Sequence, residues 1–165
     1  MKILVLGLGN DLYGDDGVGF HIVRILRTEG EHAGSEGTGS PDFVECPVSG
    51  LALLDVIVGY DALIIVDTIV RPEAVAGRIH LMEGADLRDF PGPSPHYVSI
   101  PQTLTLGRQL GLRMPGIVKI VAVEAEEPFR LGEGLSVSMA HSLPDIVAAT
   151  RSVLRDVAAG SGRIS

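Results

Sequence analysis

The chain opens on a short apolar run, KILVL at 2–6, and passes directly into GLGNDLYGDDGVG, Gly7 to Gly19. A short apolar run closed by glycines reads as a buried parallel strand followed by a tight turn. Val18, Ile22, Val23, Ile25 and Leu26 then recur at helical spacing, so residues 17–27 read as a helix. Strand, glycine-rich turn and helix at the start of a chain point to an α/β architecture. Such turns commonly cradle phosphate at a helix N-terminus. Here the dinucleotide pattern is incomplete, because Leu12 stands where its third glycine belongs, and the chain has no P-loop. Asp11, Asp15 and Asp16 also put negative charge where a pyrophosphate would lie. Spacing and charge together exclude a nucleotide from this turn.

The remaining segments repeat the alternation. FVECPV at 43–48 reads as a strand and SGLALLDVIVG at 49–59 as a helix with Ser49 at its N-cap. ALIIVD at 62–67 is the clearest buried strand, and GRIHLME at 77–83 is another, with Ile79 and Leu81 alternating against His80 and Met82. A helix is expected over 102–111, stopped by Gly111, then a strand over 117–124 and an amphipathic helix over 142–158. Residues 28–41 are rich in glycine and polar side chains and read as a flexible surface loop. Residues 84–101 hold Pro91, Pro93, Pro95 and Pro101 and read as a stiff, irregular loop. Residues 159–165 read as a frayed tail. The whole, 1–165, is expected to be one α/β domain around a mostly parallel sheet.

Composition narrows the function classes. Hydrophobic residues make up 45% of the 165 and there is no Trp, so the core must be aliphatic. A net charge of −8 argues against nucleic acid and against a basic membrane-docking face as partners. Cys46 is the only cysteine, so no internal disulfide forms, which suits a reducing compartment. No apolar stretch approaches the roughly 18 residues of a membrane span, and the N-terminal run is too short for a secretory leader. The expectation is a soluble, cytoplasmic protein. Without a coiled coil or an apolar docking helix, a monomer is expected.

In parallel sheets, ligands gather beyond the carboxyl ends of the strands. The first strand delivers Asp15 and Asp16 to that edge, and neighbouring helical residues point about 100° apart. One acid of the pair is therefore expected to cap and the other to project. Asp67 closes the third strand, and His96 lies among prolines in SPHYV. Each has an ordinary structural reading, as a cap, a solvated turn or an exposed loop histidine. Two carboxylates and an imidazole at one edge together suit a borderline divalent metal with a coordination position left open. Glu124, Glu126 and Glu127 follow the last strand and either join the cleft as acid or base or form a solvated turn. No HExxH or GxSxG motif occurs, and Cys46 has no histidine beside it in sequence.

GLGNDLYGDDGVG resembles the N-terminal signature of the hydrogenase maturation endopeptidases. LIIVDTIV at 63–70 resembles that family's strand-end Asp segment, and SPH at 94–96 resembles its histidine loop. The resemblance runs from Met1 to about Ala158. It implies a three-layer α/β/α sandwich with a five-stranded, mostly parallel sheet and one antiparallel strand, for which 77–83 is the candidate. It also implies an endopeptidase that removes the C-terminal extension of a nickel-loaded [NiFe] hydrogenase large-subunit precursor. Nickel is then carried by the substrate, with Zn2+ or Cd2+ able to take its place in vitro, and no organic cofactor is involved. The family's metal site falls on Asp16, Asp67 and His96, which also become the catalytic candidates. The chain departs from the family in a longer 28–41 segment, in CPVSG at 46–50, and in Asp16 where some members have Glu. Two other readings are a non-cleaving, metal-sensing chaperone of the precursor and a small-molecule hydrolase on the same fold.

Overall fold

A computed structural model of the chain describes residues 1–32, 40–86, 100–128, 130–132 and 134–160. Five strands form one sheet: β1 (Ile3–Leu8), β2 (Asp42–Cys46), β3 (Ala62–Ile69), β4 (Ile79–Glu83) and β5 (Ile117–Glu124). Their order is β2-β1-β3-β5-β4. β1 pairs in parallel with β2 and β3, and β3 with β5. β4 runs antiparallel to β5, with His80 opposite Ala122. The connection from β3 to β4 is too short for a parallel return, so the chain folds back along the sheet instead.

Alternation along the strands sorts the core into two layers. Ile3, Val5, Ile64, Val66, Val121 and Val123 face α1 (Val18–His32) and α4 (Val137–Ala158). Leu4, Leu6, Leu8, Leu63, Ile65 and Ile120 face α2 (Leu53–Ile57) and α3 (Ile100–Gln109). β1 and β3 are buried along their whole length, as a strand covered on both faces must be. The result is the expected α/β/α sandwich.

Several boundaries differ from the sequence reading. α1 runs on to His32, through what reads as the start of a loop. Glu29 holds that last turn by accepting two hydrogen bonds, of 2.9 and 2.7 Å, from Arg151 on α4. The remainder of the expected loop, 33–39, lies outside the described residues. The helix expected over 49–59 shrinks to a 3-10 turn, Gly50–Ala52, and the five residues of α2. Ser49 makes no side-chain cap there, and Gly50 takes φ 67°. β3 continues two residues past Asp67, which therefore lies inside the strand rather than at its end. In β4, an edge strand, Met82 is the buried residue and Leu81 is exposed. α3 begins two residues early, with Pro101 tolerated in its first turn. α4 begins at Val137, and its Ser136 cap accepts from Met139 N at 3.2 Å. Pro144 sits in the helix interior. No helix among the described residues is long and apolar enough to cross a membrane.

The first turn of α1 lies backbone to backbone against the sheet. A Cβ on Gly19 would stand 2.5 Å from the Leu8 carbonyl oxygen and 2.6 Å from that of Val66. A Cβ on Gly7 would collide with the Gly19 carbonyl from the other side. Gly19→Ala is therefore expected to cost about 1–3 kcal/mol or more by overpacking. Gly116→Ala, where an added Cβ meets nothing within 4 Å, should cost less than about 0.5 kcal/mol. Urea denaturation of the two variants checks the contrast.

Candidate active site

The order of the strands reverses between β1 and β3. The chain leaves β1 toward β2 through α1 on one face, and returns from β2 to β3 past α2 on the other. A crevice opens at the carboxyl ends of two neighbouring strands wherever their connections part in this way. Asp16 follows β1 and Asp67 belongs to β3, so both candidate carboxylates stand at this crevice.

The opening turn explains how Asp16 gets there. Gly9 takes φ 136°, a conformation open to glycine and rarely to other residues. The Asn10 side-chain oxygen then accepts from Leu12 N at 3.0 Å, an Asx-type turn. A 3-10 turn, Gly14–Gly17, leads into α1 and carries both acids. Asp15 and Asp16 are 5% and 6% exposed, and they diverge.

Asp15 turns toward the start of α4. Its two carboxylate oxygens accept from Ser136 N at 2.7 Å and from Ser136 Oγ at 2.8 Å. It thus braces the cap of α4, 121 residues away, and not that of its own helix. Beside it a cavity of about 460 Å³ is walled by Gly14, Glu126, Arg130 and Ser138. Asp16 turns toward β3, where its Oδ1 accepts from Thr68 Oγ1 at 3.0 Å. Asp67 is fully buried, and its Oδ1 accepts from Thr68 N at 2.8 Å. Thr68 is the residue the sequence reading passed over. Its position one residue after Asp67 signals nothing until β1 and β3 are known to be neighbours.

His96 lies outside the described residues. Among the described residues no three His, Cys, Asp or Glu side chains come together to hold a metal. Asp11, counted with the turn's negative charges, pairs with Arg24 at 2.7 Å, and Arg24 also pairs with Glu45 at 2.6 Å. These partners hold the Arg24 guanidinium well above its ordinary pKa.

Glu124 is neither an open cleft acid nor part of a solvated turn. It ends β5, is 2% exposed, and accepts from Val75 N at 2.8 Å while meeting His80 Nε2 at 2.7 Å. Arg78 Nη1 lies 3.7 Å away. The Val75 amide above all, then His80 and Arg78, hold the carboxyl below its ordinary 4.5 against the opposing effect of burial. Glu124 pins the β3–β4 connection to the sheet, while Glu126 and Glu127 are exposed. Cys46 is buried, with Sγ 3.8 Å from the Val48 carbonyl, and burial pushes its thiol up, away from nucleophilic use.

No protein-family model matches the chain. It is 32% identical over 140 residues to the hydrogenase 2 maturation protease of Escherichia coli K12, a match covering 78% of this chain and 77% of that protein. The chain belongs to the hydrogenase maturation protease family. It is accordingly a peptidase. Solved structures of related maturation proteases share its fold. HybD from E. coli superposes with a TM-score of 0.75 at 24% identity, over 95% of this chain and 94% of that one. HybD from Thermococcus kodakarensis gives 0.68 at 22% identity, over 93% and 99%.

Two expectations follow for this maturation protease. Asp15→Ala removes two hydrogen bonds to a buried carboxylate and should cost about 1.5–3 kcal/mol in urea melts. Glu124 has a depressed folded pKa, so its stabilisation is present above pH 4.5 and is lost as the pH falls through the folded value. The stability gap between wild type and Glu124→Gln should therefore be open at pH 7 and shrink on acidification below about 4.5.

Proposed function

We propose that this protease removes the C-terminal extension of a [NiFe] hydrogenase large-subunit precursor once nickel is installed. Asp16, Asp67 and His96 engage the nickel that the precursor carries, and the same residues supply the chemistry of cleavage. The nickel belongs to the substrate, no organic cofactor takes part, and Zn2+ or Cd2+ serves as a surrogate in vitro. The observation that carries this reading is two buried carboxylates, Asp16 and Asp67, at the crevice of a maturation-protease fold. Buried carboxylates are costly to leave ionised unless they are paired or hydrogen-bonded, and a divalent cation is their natural counter-charge.

Peptide hydrolysis adds water to the scissile carbonyl, breaks the C–N bond and delivers a proton to the leaving amine. Two carboxylates and an imidazole suit the tasks this sets: holding the metal-bearing segment in place, and accepting a proton from water. Family membership favours cleavage over a non-cleaving chaperone and over a small-molecule hydrolase. The protease acts as a monomer in the cytoplasm, where a lone thiol such as Cys46 stays reduced.

The test is intact-mass spectrometry of the cognate precursor, nickel-loaded and nickel-free, after incubation with the enzyme. The loaded form alone should lose a C-terminal peptide. Asp16→Asn, Asp67→Asn and His96→Ala should leave the mass unchanged while keeping wild-type circular dichroism. Processing of the nickel-free precursor at the same rate would sink the metal check, and wild-type cleavage by a variant would remove its residue from the site.

A further inference from the structure

One residue touches both candidate carboxylates. Thr68 donates its hydroxyl to Asp16 Oδ1 at 3.0 Å and its backbone N–H to Asp67 Oδ1 at 2.8 Å. It is 5% exposed, on a strand whose every residue is buried. Its neighbour in space, the first turn of α1, is held against β3 by the glycine contact at Gly19 and Val66. The side chain of Thr68 and that of Asp67 leave the strand on opposite faces, because successive strand residues alternate. Thr68 faces the α1 layer with Ile64 and Val66, and Asp67 faces the α2–α3 layer with Leu63 and Ile65. The two carboxylates therefore approach the crevice from the two sides of the sheet.

We propose that Thr68 is a positioning residue of this protease: its hydroxyl and its amide together set the orientation of Asp16 relative to Asp67. The proposal rests on the reading of those two carboxylates as the site. A β-branched residue suits the task, because its χ1 is stiff within a strand and the hydroxyl is held where the strand places it. A hydrogen bond to an ionised carboxylate is roughly twice as strong as a neutral one, and more so where water is excluded. Without the hydroxyl, Asp16 loses its bond to Thr68. Partners of this kind, one step behind the groups that meet the metal, typically control 10–100-fold in affinity or activity.

The variants are Thr68→Val, which removes the hydroxyl at nearly constant volume, and Thr68→Ser, which restores it. Asp16→Asn and Asp67→Asn serve as controls. Two quantities are measured: kcat and KM for processing of the nickel-loaded precursor, and the Kd for Ni2+ alone by calorimetry on the full chain. Thr68→Val should lower kcat/KM by roughly 10–100-fold, mainly through kcat, and weaken Ni2+ binding by about tenfold or more. Thr68→Ser should recover most of both. If Thr68→Val does not fold, Thr68→Ala takes its place in the same comparison. Wild-type kinetics and Ni2+ binding in Thr68→Val, with the Asp controls inactive, overturn the proposal and leave the site intact. Equal losses in the Val and Ser variants also overturn it, since packing and not the hydroxyl is then at fault. A wild-type chain that binds no Ni2+, or Asp controls that process normally, overturn the underlying reading and this proposal with it.

Discussion

The close packing of the first turn of α1 on the sheet is the contact on which the rest of the arrangement depends. Gly19 lies within van der Waals reach of the carbonyls of both Leu8 and Val66, and Gly7 meets Gly19 from below. A side chain at either position would push the helix away from β1 and β3. The turn that carries Asp15 and Asp16 would move with it, since it leads directly into that helix. In phosphate-binding relatives of this architecture, glycines in this turn let the backbone approach a ligand. Here they let backbone approach backbone.

That closeness gives the acidic pair two different partners. Adjacent residues on a tight turn diverge, so Asp15 reaches Ser136 at the head of α4 and Asp16 reaches Thr68 on β3. The first ties the N-terminal turn to the last helix of the fold. The second joins the turn to the strand that carries Asp67. Both carboxylates sit behind less than a tenth of their ordinary exposure, where an unpartnered charge would be expensive. The hydrogen bonds from Ser136 and Thr68 help make two buried, adjacent acids tolerable in a chain of net charge −8.

Much of this was legible before any coordinates. Apolar runs, alternation and helical spacing located all five strands and the order of the helices, and the short 68–76 connection marked 77–83 as the candidate for the one antiparallel strand that the resemblance implies. What failed were features that tertiary contacts decide. Glu29 reaching Arg151 carries α1 beyond a glycine that reads as a loop, and Ser136, braced by Asp15, starts α4 at Val137, ahead of the start at 142 that helical spacing gives. The divergence of Asp15 and Asp16 followed from helical geometry, but the partner of Asp15 did not, since Ser136 is 121 residues away. Glu124 read as either a cleft acid or part of a solvated turn because its partners, Val75 and His80, reach it only through the fold-back of β4 along β5. His80 itself has an acid three residues on, Glu83, that faces the other side of the strand; its true partner lies across the ladder.

Compensated charge marks several of the acids that build the fold. Asp11 is neutralised by Arg24, Glu45 by Arg24 and Arg27, and Glu124 by His80 and Arg78. Each of these carboxylates meets a cationic or cation-forming side chain. Asp16 and Asp67 share a partner instead: Asp16 Oδ1 accepts from the Thr68 hydroxyl and Asp67 Oδ1 from the Thr68 backbone amide. At the crevice between β1 and β3, Thr68 thus ties the turn that carries Asp16 to the strand that carries Asp67.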